Sequence, residues 1–376
     1  MNTEKPRVIA LWGAHRRPAK GVPGLPSSLD KGVQELADLG HDIFSIYPLI
    51  SREALPEWIS SLLRGKALYK TSIINLLLNV KRPDVLYTSD NSWCGHISRI
   101  KKWGLIRNRL IFKWAGFDAP WSEMSRGSSS SKWRYYKDML SGADVIYFAS
   151  ERQRQLVCEH YPELESKLFF WPTAVDISFY QKYWTTHTTD RPYFVAVGSD
   201  CKRDWPFIFN LALKGIEIKI ITNDIRVKKL PDEVGASWPD NLTLEFDVGL
   251  ARSAELIAKS AGIIISTIDN DRFSGSTTVG VAAALGKPLI LDEQYDLAAY
   301  GLEPGRNCEW FPRGDLDAAH EILSKLLVQK EYAEKLGLSL KSLTRRFDTL
   351  AAAKVISAAC FENGNLEEIA HEIVES

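Results

Sequence analysis

Two successive blocks of short apolar segments alternating with helical segments restrict the fold of this chain more than any other feature. The first block opens with residues 8–12, an apolar run that ends at Gly13, and the second opens with residues 193–197, which end at Gly198. Short, continuous apolar runs are typical of parallel strands that are buried on both faces. Because helical segments separate these runs, each block predicts a parallel, doubly wound sheet. The predicted fold class is therefore α/β, with two Rossmann-like domains in tandem.

The boundary between the two domains is expected near the polar stretch at residues 185–192. A length of 376 residues suits two domains of ordinary size. We predict an N-terminal domain of residues 1–183 and a C-terminal domain of residues 184–354. The pattern predicts strands at 8–12, 41–48, 84–87, 109–112, 143–149, 193–197, 216–222, 242–246, 262–267 and 288–292, and helices at 27–39, 205–214, 251–260, 276–285 and 315–329.

Cysteine usage and the N-terminal sequence indicate a reducing compartment. The five cysteines are scattered and form no Cys-X-X-Cys pair, which argues against a disulfide framework and a structural zinc site. Residues 1–7 are polar and show no signal-peptide pattern. The apolar stretch at 73–80 is too short to span a bilayer. We therefore expect a cytoplasmic protein that can lie peripherally on the inner face of a membrane.

The net charge of zero conceals an asymmetry between the two halves. Residues 1–180 hold 25 Lys/Arg and 18 Asp/Glu, a balance of +7, so the remainder carries −7. A basic half suggests an anionic partner, and nucleic acid, anionic lipid and a phosphorylated acceptor all fit this charge. The alternative is uneven surface charge without a partner. In residues 99–109 basic and apolar residues alternate around Trp103, which suits either an interfacial helix or a solvated helix covering the sheet.

The strongest local signal for a ligand is the loop Ser274-Gly275-Ser276-Thr277-Thr278, which follows a predicted strand and opens a helix of small residues. Glycine lets the backbone approach a ligand, and N–H groups at the start of a helix attract anions. Because Ser and Thr hydroxyls add further donors, a diphosphate suits this loop. The alternative is N-capping by Ser or Thr, with tight packing of the alanines that follow.

A basic turn lies at the start of the second block, after Gly198. Lys202 or Arg203 is expected to neutralise the charge that develops on a leaving nucleotide diphosphate. Asp204 is expected to cap the next helix. The alternative is a solvated, charged turn without a ligand.

Polar residues after two strands of the first block are candidates for chemistry on an acceptor. Gly13, Arg16 and Arg17 are expected to form the loop that faces the acceptor. His15 titrates near neutral pH, and the Asp118 carboxylate suits a general base towards a hydroxyl. We take His15 and Asp118 as the catalytic candidates, the alternative being ordinary loop residues.

Three motifs with an established chemistry were weighed against this interpretation. Asp269 and Asp271 have the spacing of a metal-binding Asp-X-Asp pair, but beside the phosphate loop we favour donor-sugar binding and predict no metal. Residues 280–288 depart from a P-loop, because five residues separate the glycines and Pro288 stands where Ser or Thr is required. No Gly-X-Gly-X-X-Gly follows the first strand, which argues against a nicotinamide dehydrogenase.

Taken together, these segments resemble the GT-B glycosyltransferases. They most resemble the large retaining group (family 4-like) that includes sucrose synthases and many bacterial polysaccharide and lipopolysaccharide transferases. The segments that carry the resemblance are the pair Gly40-His41, residues 168–176, Gly198 with the basic turn, residues 271–290, and residues 305–307.

The resemblance implies an enzyme that moves a sugar from a nucleotide-diphosphate sugar to a hydroxyl acceptor, in bacterial-type surface glycan or glycolipid synthesis. It implies that the C-terminal domain holds the donor and that the N-terminal domain holds a glycan or lipid-linked acceptor. The last helix, about residues 355–376, is expected to cross back to the first domain. The nucleotide sugar is a co-substrate, and neither a cofactor, an essential metal nor a nucleic-acid partner is expected.

The sequence departs from the family pattern at three positions. The family's loop usually carries two glutamates, one for the donor sugar and one for the ribose. Counting back from Gly286, the ribose glutamate falls on Val281, and the sugar position falls near Phe273 or on Asp271. The histidine that is common after the middle strand of the first domain is absent, and Trp114 occupies that region.

These departures leave the stereochemical outcome and two other functions open. An inverting reaction with Asp118 as the base remains compatible with the sequence. A GT-B sugar-nucleotide epimerase is one alternative function. A non-catalytic protein that binds a sugar nucleotide or a glycan is the other.

Overall fold

The computed structural model describes residues 7–11, 32–46, 66–81, 84–89, 91–114, 131–185, 191–199, 201–268, 273–362 and 365–375, with the backbone alone at 66–72 and 131–135. These residues form two compact units. The first unit runs to Trp171 and resumes at Thr349, and the second unit comprises Pro172–Asp348.

The described strands of the first unit form one parallel sheet in the order β2-β1-β3-β4-β5-β6. Val8 pairs with Ile43 on one side and with Val85 on the other. The strands are β1 (Val8–Leu11), β2 (Ile43–Ile46), β3 (Val85–Thr88), β4 (Arg109–Trp114), β5 (Val145–Phe148) and β6 (Leu168–Phe170).

The described strands of the second unit form another parallel sheet, in the order β12-β11-β10-β7-β8-β9. Its first strand is central, so the chain builds outwards to both sides. The strands are β7 (Phe194–Val197), β8 (Ile218–Thr222), β9 (Leu242–Phe246), β10 (Gly262–Ile265), β11 (Leu289–Asp292) and β12 (Glu309–Phe311).

Helices connect the strands in both units. Within the described residues they are α1 (Lys66–Asn79), α2 (Asn91–Lys102), α3 (Ser131–Ser141), α4 (Glu151–His160), α5 (Ile177–Gln181), α6 (Trp205–Leu213), α7 (Leu230–Val234), α8 (Leu250–Ala258), α9 (Ser276–Leu285), α10 (Leu316–Val328), α11 (Lys330–Lys341), α12 (Thr349–Phe361) and α13 (Leu366–Glu375).

Side chains on both faces of the first sheet are buried, which explains why its strands are apolar throughout. Ile9 and Leu11 belong to a core with Trp93 of α2. The alternate residue Ala10 belongs to a second core with Ile356 of α12. Because successive side chains of a strand point to opposite faces, an unbroken apolar run is required when helices cover both. The doubly wound α/β fold class is confirmed.

The second unit begins at Pro172, earlier than the boundary after residue 183 that the polar stretch suggested. The backbone N–H of Val175 donates to the carbonyl of Phe347 at 2.7 Å. A Cβ added to Gly280 of α9 would lie 3.0 Å from the Val175 side chain. These contacts attach the segment to the second unit, and they are tertiary contacts that no sequence pattern reports.

Three local features differ from the sequence-based expectations. Strands β6 and β12 were not expected, because each has three residues and is too short for a periodicity. The predicted helix at 27–39 is wrong over its described part, where Gln34–Leu36 forms a single 3-10 turn. Gly32 explains the difference, since its φ of +115° lies outside the helical region and its backbone lies against Ala352.

The basic segment at 99–109 combines both alternatives that its sequence left open. Ile100 of α2 is buried, so the helix covers the sheet. Lys101 and Lys102 form ion pairs with Asp144 and Asp138. The side chains that follow the helix, Trp103 and Leu105, are exposed.

The five cysteines are free thiols in the structure, and no described helix is long and apolar enough to cross a membrane.

Candidate functional site

The carboxyl ends of the strands in the second sheet bring several polar segments to one edge. All pairings in this sheet are parallel, so the residues that follow β7, β10 and β11 leave the sheet at the same edge. Ligands of doubly wound folds bind at this edge. Gly198, Thr267 and Asp292 stand there, and the chain returns to it at residues 273–276 before entering α9.

The loop Ser274–Thr278 forms the start of α9. Gly275 is the residue before the helix and has a φ of +95°, which glycine adopts without strain. The first N–H groups of a helix have no partner within the helix and carry its positive dipole end. Ser274 and Thr278 are buried, whereas Thr277 is exposed. An anion can therefore approach the helix start between the two buried residues.

The alternative explanation of this loop, N-capping by Ser or Thr, does not describe the structure. The capping position is held by Gly275, which has no side chain. The other half of that explanation is correct, because Ala282, Ala283 and Ala284 are fully buried. The small residues let α9 pack closely, while the hydroxyl-bearing residues belong to its first turn.

Arg203 reaches this loop because its own turn runs along the end of β10. The carbonyl of Lys202 accepts a hydrogen bond from the Ile268 N–H at 2.9 Å, and Arg203 forms a bridge with Thr267. The Arg203 Nη2 donates to Thr278 Oγ1 at 3.1 Å. Arg203 is 6% exposed, so its positive charge lies inside the protein at the start of α9.

Two glycines leave the space that the Arg203 side chain occupies. A Cβ on Gly198 would lie 2.4 Å from Arg203 Nε, and a Cβ on Gly275 would lie 3.0 Å from Arg203 Nη1. Both glycines have positive φ angles, +151° and +95°. Glycine is therefore required at both positions for steric as well as conformational reasons.

A buried carboxylate stands behind the loop, and sequence reasoning missed it. Asp292 Oδ2 accepts hydrogen bonds from the Thr267 N–H and Oγ1, both at 2.8 Å. Asp292 Oδ1 accepts from Gln294 Nε2 at 2.9 Å, and Gln294 Oε1 accepts from the Ser274 N–H at 3.1 Å. Burial raises the pKa of the Asp292 carboxyl, while Thr267 and the nearby Arg313 oppose that rise. A carboxylate that ends an apolar strand was the available signal.

The positions that correspond to the family's two glutamates are buried. The Phe273 ring lies 4.3 Å from the ring of Tyr300, measured between centroids. The Tyr300 hydroxyl accepts a hydrogen bond from the Thr173 N–H at 3.3 Å, and burial raises its pKa. Val281 is also buried. Both positions therefore belong to the core of the second unit.

Two neighbouring candidates have structural roles. Asp204 caps α6 as expected, accepting a hydrogen bond from the Phe207 N–H at 3.1 Å. Lys287 precedes β11, at the opposite end of that strand from Asp292. Its Nζ donates to the Ser260 carbonyl at 3.1 Å, and burial lowers its pKa to about 8.

The structure thus brings together Arg203 and the loop residues, with Lys202 in the same turn. The other site candidates lie outside the described residues; they are Gly13, His15, Arg16, Arg17, Asp118, Asp269 and Asp271. Among the residues that are described, no group of three or more His, Cys, Asp or Glu side chains has the arrangement of a metal site.

No family model and no curated protein matches the chain. Solved structures do match. Sucrose-phosphate synthase from Thermosynechococcus elongatus has a TM-score of 0.68 at 12% identity, over 99% of this chain and 98% of that one. A glycosyltransferase from Rickettsia africae has a TM-score of 0.66 at 14% identity, over 96% and 100%. Anabaena HepE, in complex with UDP and glucose, has a TM-score of 0.66 at 11% identity, over 94% and 98%. The chain therefore has the GT-B fold that the sequence predicted.

Gly275→Ala tests the close packing between the loop and Arg203. We expect it to lower the free energy of unfolding by about 2–4 kcal/mol, about 1–2 from the left-handed backbone and the rest from overpacking against Arg203 and Ile265. Gly235→Ala is the control, because Gly235 ends α7 at a φ of +73° with nothing near its would-be Cβ. Urea unfolding measures both, and equal losses would contradict the packing.

Proposed function

We propose that this protein is a glycosyltransferase that moves a sugar from a nucleotide-diphosphate sugar to a hydroxyl acceptor, in surface glycan or glycolipid synthesis. The observation that carries the proposal is the buried Arg203 guanidinium beside the start of α9. In this proposal the second unit binds the donor and the first unit binds the acceptor.

The chemistry of the site suits a diphosphate that departs with negative charge. Guanidinium groups form short, charge-assisted hydrogen bonds to phosphate oxygens. The helix start adds backbone N–H groups and the positive end of a dipole. A pre-placed positive charge stabilises the leaving group more in a buried site than in water. We assign the diphosphate to Arg203 and residues 274–278, with Lys202 contributing from the same turn.

Structures with the same fold support a nucleotide donor. Anabaena HepE has been solved with UDP-glucose, and starch synthase IV from Arabidopsis thaliana with ADP and acarbose. A likeness at this level of identity supports the fold, so the nucleotide remains part of the proposal. The nucleobase and the sugar are not assigned.

The remaining site assignments rest on sequence. We propose Asp269 and Asp271 for the donor sugar, and His15 and Asp118 for catalysis. Gly13, Arg16 and Arg17 are assigned to the acceptor loop. Because the charge of the diphosphate is met by side chains and N–H groups, we propose that transfer requires no metal.

Diphosphate binding is tested by thermal shift and calorimetry with uridine, adenosine, guanosine and thymidine diphosphates and the matching nucleosides. We expect at least one diphosphate to raise the Tm, since a ligand of the folded state stabilises it by mass action. Arg203→Met should weaken that diphosphate at least about tenfold, the effect of losing a hydrogen bond to a charged group. The nucleoside affinity should change less than about twofold, because the nucleoside carries no phosphate.

Two further variants sharpen this measurement. Lys202→Met tests the other candidate of the basic turn, and we expect a smaller loss than for Arg203. Arg306→Met is the control, because Arg306 is an exposed arginine of the same unit that pairs with Glu303. The proposed function fails if no diphosphate stabilises the wild type.

Transfer itself is tested by incubating the protein with the nucleotide sugar that binds best and a panel of glycan and lipid-linked acceptors. We expect a glycosylated product and release of the nucleoside diphosphate, at a rate that EDTA changes less than about twofold because the site's own charges act on the leaving group. Loss of activity in EDTA that Mn²⁺ restores would contradict metal independence. An epimerised sugar nucleotide formed without acceptor would favour the epimerase, and binding without turnover would favour a non-catalytic protein.

We also propose that the first unit lies on an anionic membrane surface. Ile74, Leu77 and Leu78 are exposed on α1 at helical spacing, and Leu78 is 79% exposed. These three residues form an apolar ridge on one face of the helix. The ridge belongs to the half of the chain with a charge of +7. Apolar side chains in a basic surface suit the interface of anionic lipids.

Sedimentation with lipid vesicles tests this surface. We expect binding to vesicles that contain phosphatidylserine and little binding to phosphatidylcholine alone, because the attraction is partly electrostatic. Replacing Ile74 and Leu78 together by Ser should weaken binding at least about tenfold, since burying each side chain contributes about 1.5–3 kcal/mol. Val328→Ser, at an exposed apolar residue of the second unit, is the control. Equal binding of all three proteins would contradict the membrane contact.

A further inference from the structure

The loop at the start of α9 is held from behind by a chain of two hydrogen bonds, which we call the Asp292–Gln294 relay. Asp292 Oδ1 accepts from Gln294 Nε2 at 2.9 Å, and Gln294 Oε1 accepts from the backbone N–H of Ser274 at 3.1 Å. The three residues are 0%, 8% and 1% exposed. Bulk water therefore does not compete for these hydrogen bonds.

The partners fix the orientation of the Gln294 amide. An ionised carboxylate only accepts hydrogen bonds, and a backbone N–H only donates. The amide satisfies both when its NH₂ faces Asp292 and its oxygen faces Ser274. The reverse orientation would place a donor against the Ser274 N–H and an acceptor against the carboxylate, leaving buried polar groups without partners.

The far end of the relay is fixed to the sheet. Asp292 is the last residue of β11, and its Oδ2 accepts from both Thr267 donors at 2.8 Å. The Arg313 Nε lies 3.5 Å from the same oxygen. Because Thr267 follows β10 and Arg313 follows β12, the carboxylate joins three neighbouring strand ends. Gln294 extends this fixed point to the loop.

The near end of the relay acts on the residue before Gly275. Ser274 precedes the left-handed glycine from which α9 starts, so its placement sets where the N–H groups of the first helical turn lie. It also sets the gap between Gly275 and Arg203, since a Cβ on Gly275 would lie 3.0 Å from Arg203 Nη1.

The chemical identity of Gln294 suits a site for phosphates. A carboxylate placed directly against the loop would hold the Ser274 N–H but would repel an anionic ligand. The neutral amide supplies the acceptor, while the charge of Asp292 is held one residue further back beside Arg313. Hydrogen bonds in series polarise one another, so the carboxylate strengthens the bond at Ser274 without facing the loop.

We propose that Gln294 is a positioning residue for the donor diphosphate, which it serves through Ser274 by holding the α9 loop against Arg203. The inference rests on the proposed function in one respect, that the ligand of the loop is the diphosphate of a nucleotide sugar. Asp292 fixes the amide of Gln294, and neither side chain contacts the ligand.

Gln294→Met tests the relay, because methionine has a similar length and offers the Ser274 N–H only a weak sulfur acceptor. Hydrogen exchange followed by mass spectrometry, without ligand, should show at least about tenfold faster exchange of the amides at 274–278. Exchange in β7 should not change. Calorimetry should show at least about tenfold weaker nucleoside diphosphate binding. Nucleoside affinity should stay within about twofold, whereas general destabilisation would affect both ligands alike.

Two variants complete the design. Gln294→Glu keeps an acceptor for Ser274 but places a second carboxylate beside Asp292 and near the phosphates, so diphosphate affinity should fall while nucleoside affinity is retained. This variant tests the relay if the methionine variant does not fold. Gln329→Met is the control, because Gln329 is an exposed glutamine between α10 and α11. It should match the wild type in every measurement.

The outcomes separate this inference from the proposed function. Unchanged exchange at 274–278 in Gln294→Met would overturn the relay. Faster exchange with equal losses of diphosphate and nucleoside affinity would overturn the positioning role. If the wild type binds no nucleoside diphosphate but exchange rises, the proposed function fails, and the relay is retained as a support of the loop alone.

Discussion

The site of the second unit depends on one placement, the burial of the Arg203 guanidinium against the first turn of α9. A buried cation is costly unless acceptors or anions meet it. Here Thr278 accepts one hydrogen bond, and Gly198 and Gly275 leave space for the planar group. The same glycines let the backbone take the positive φ angles that bring both turns to the guanidinium. Space, backbone conformation and charge are therefore set together, and an anionic ligand would relieve the cost of burial.

The parallel sheet makes this placement possible. Strands β7, β10 and β11 end at one edge, so segments that are distant in sequence meet there. Thr267, after β10, serves two neighbours: it bridges to Arg203, and it donates to the buried Asp292. The turn that carries the arginine and the relay that holds the loop thus share one strand end. A change at Asp292 would reach Arg203 through contacts that involve no ligand.

The sequence revealed the backbone of this arrangement more readily than its side-chain network. The apolar runs predicted the two sheets because burial on both faces requires them. The glycine and hydroxyl pattern predicted the loop, because such residues favour a tight approach to a helix start. Lys202 and Arg203 could not be ranked from sequence, since the direction of each side chain depends on the bridge to Thr267. Asp292 and Gln294 have no distinctive spacing, and only the fold places them behind Ser274.

The two missing family glutamates are also explained by packing. Phe273 contacts Tyr300, and Val281 lies on the buried part of α9. A carboxylate at either position would have to be desolvated in the core, which requires partners that an apolar environment does not supply. These substitutions therefore accompany a different support of the loop, in which aromatic packing holds one side and the Asp292–Gln294 relay holds the other. Phosphate binding can be retained on such a frame, because it depends on the helix start and Arg203 rather than on the replaced side chains.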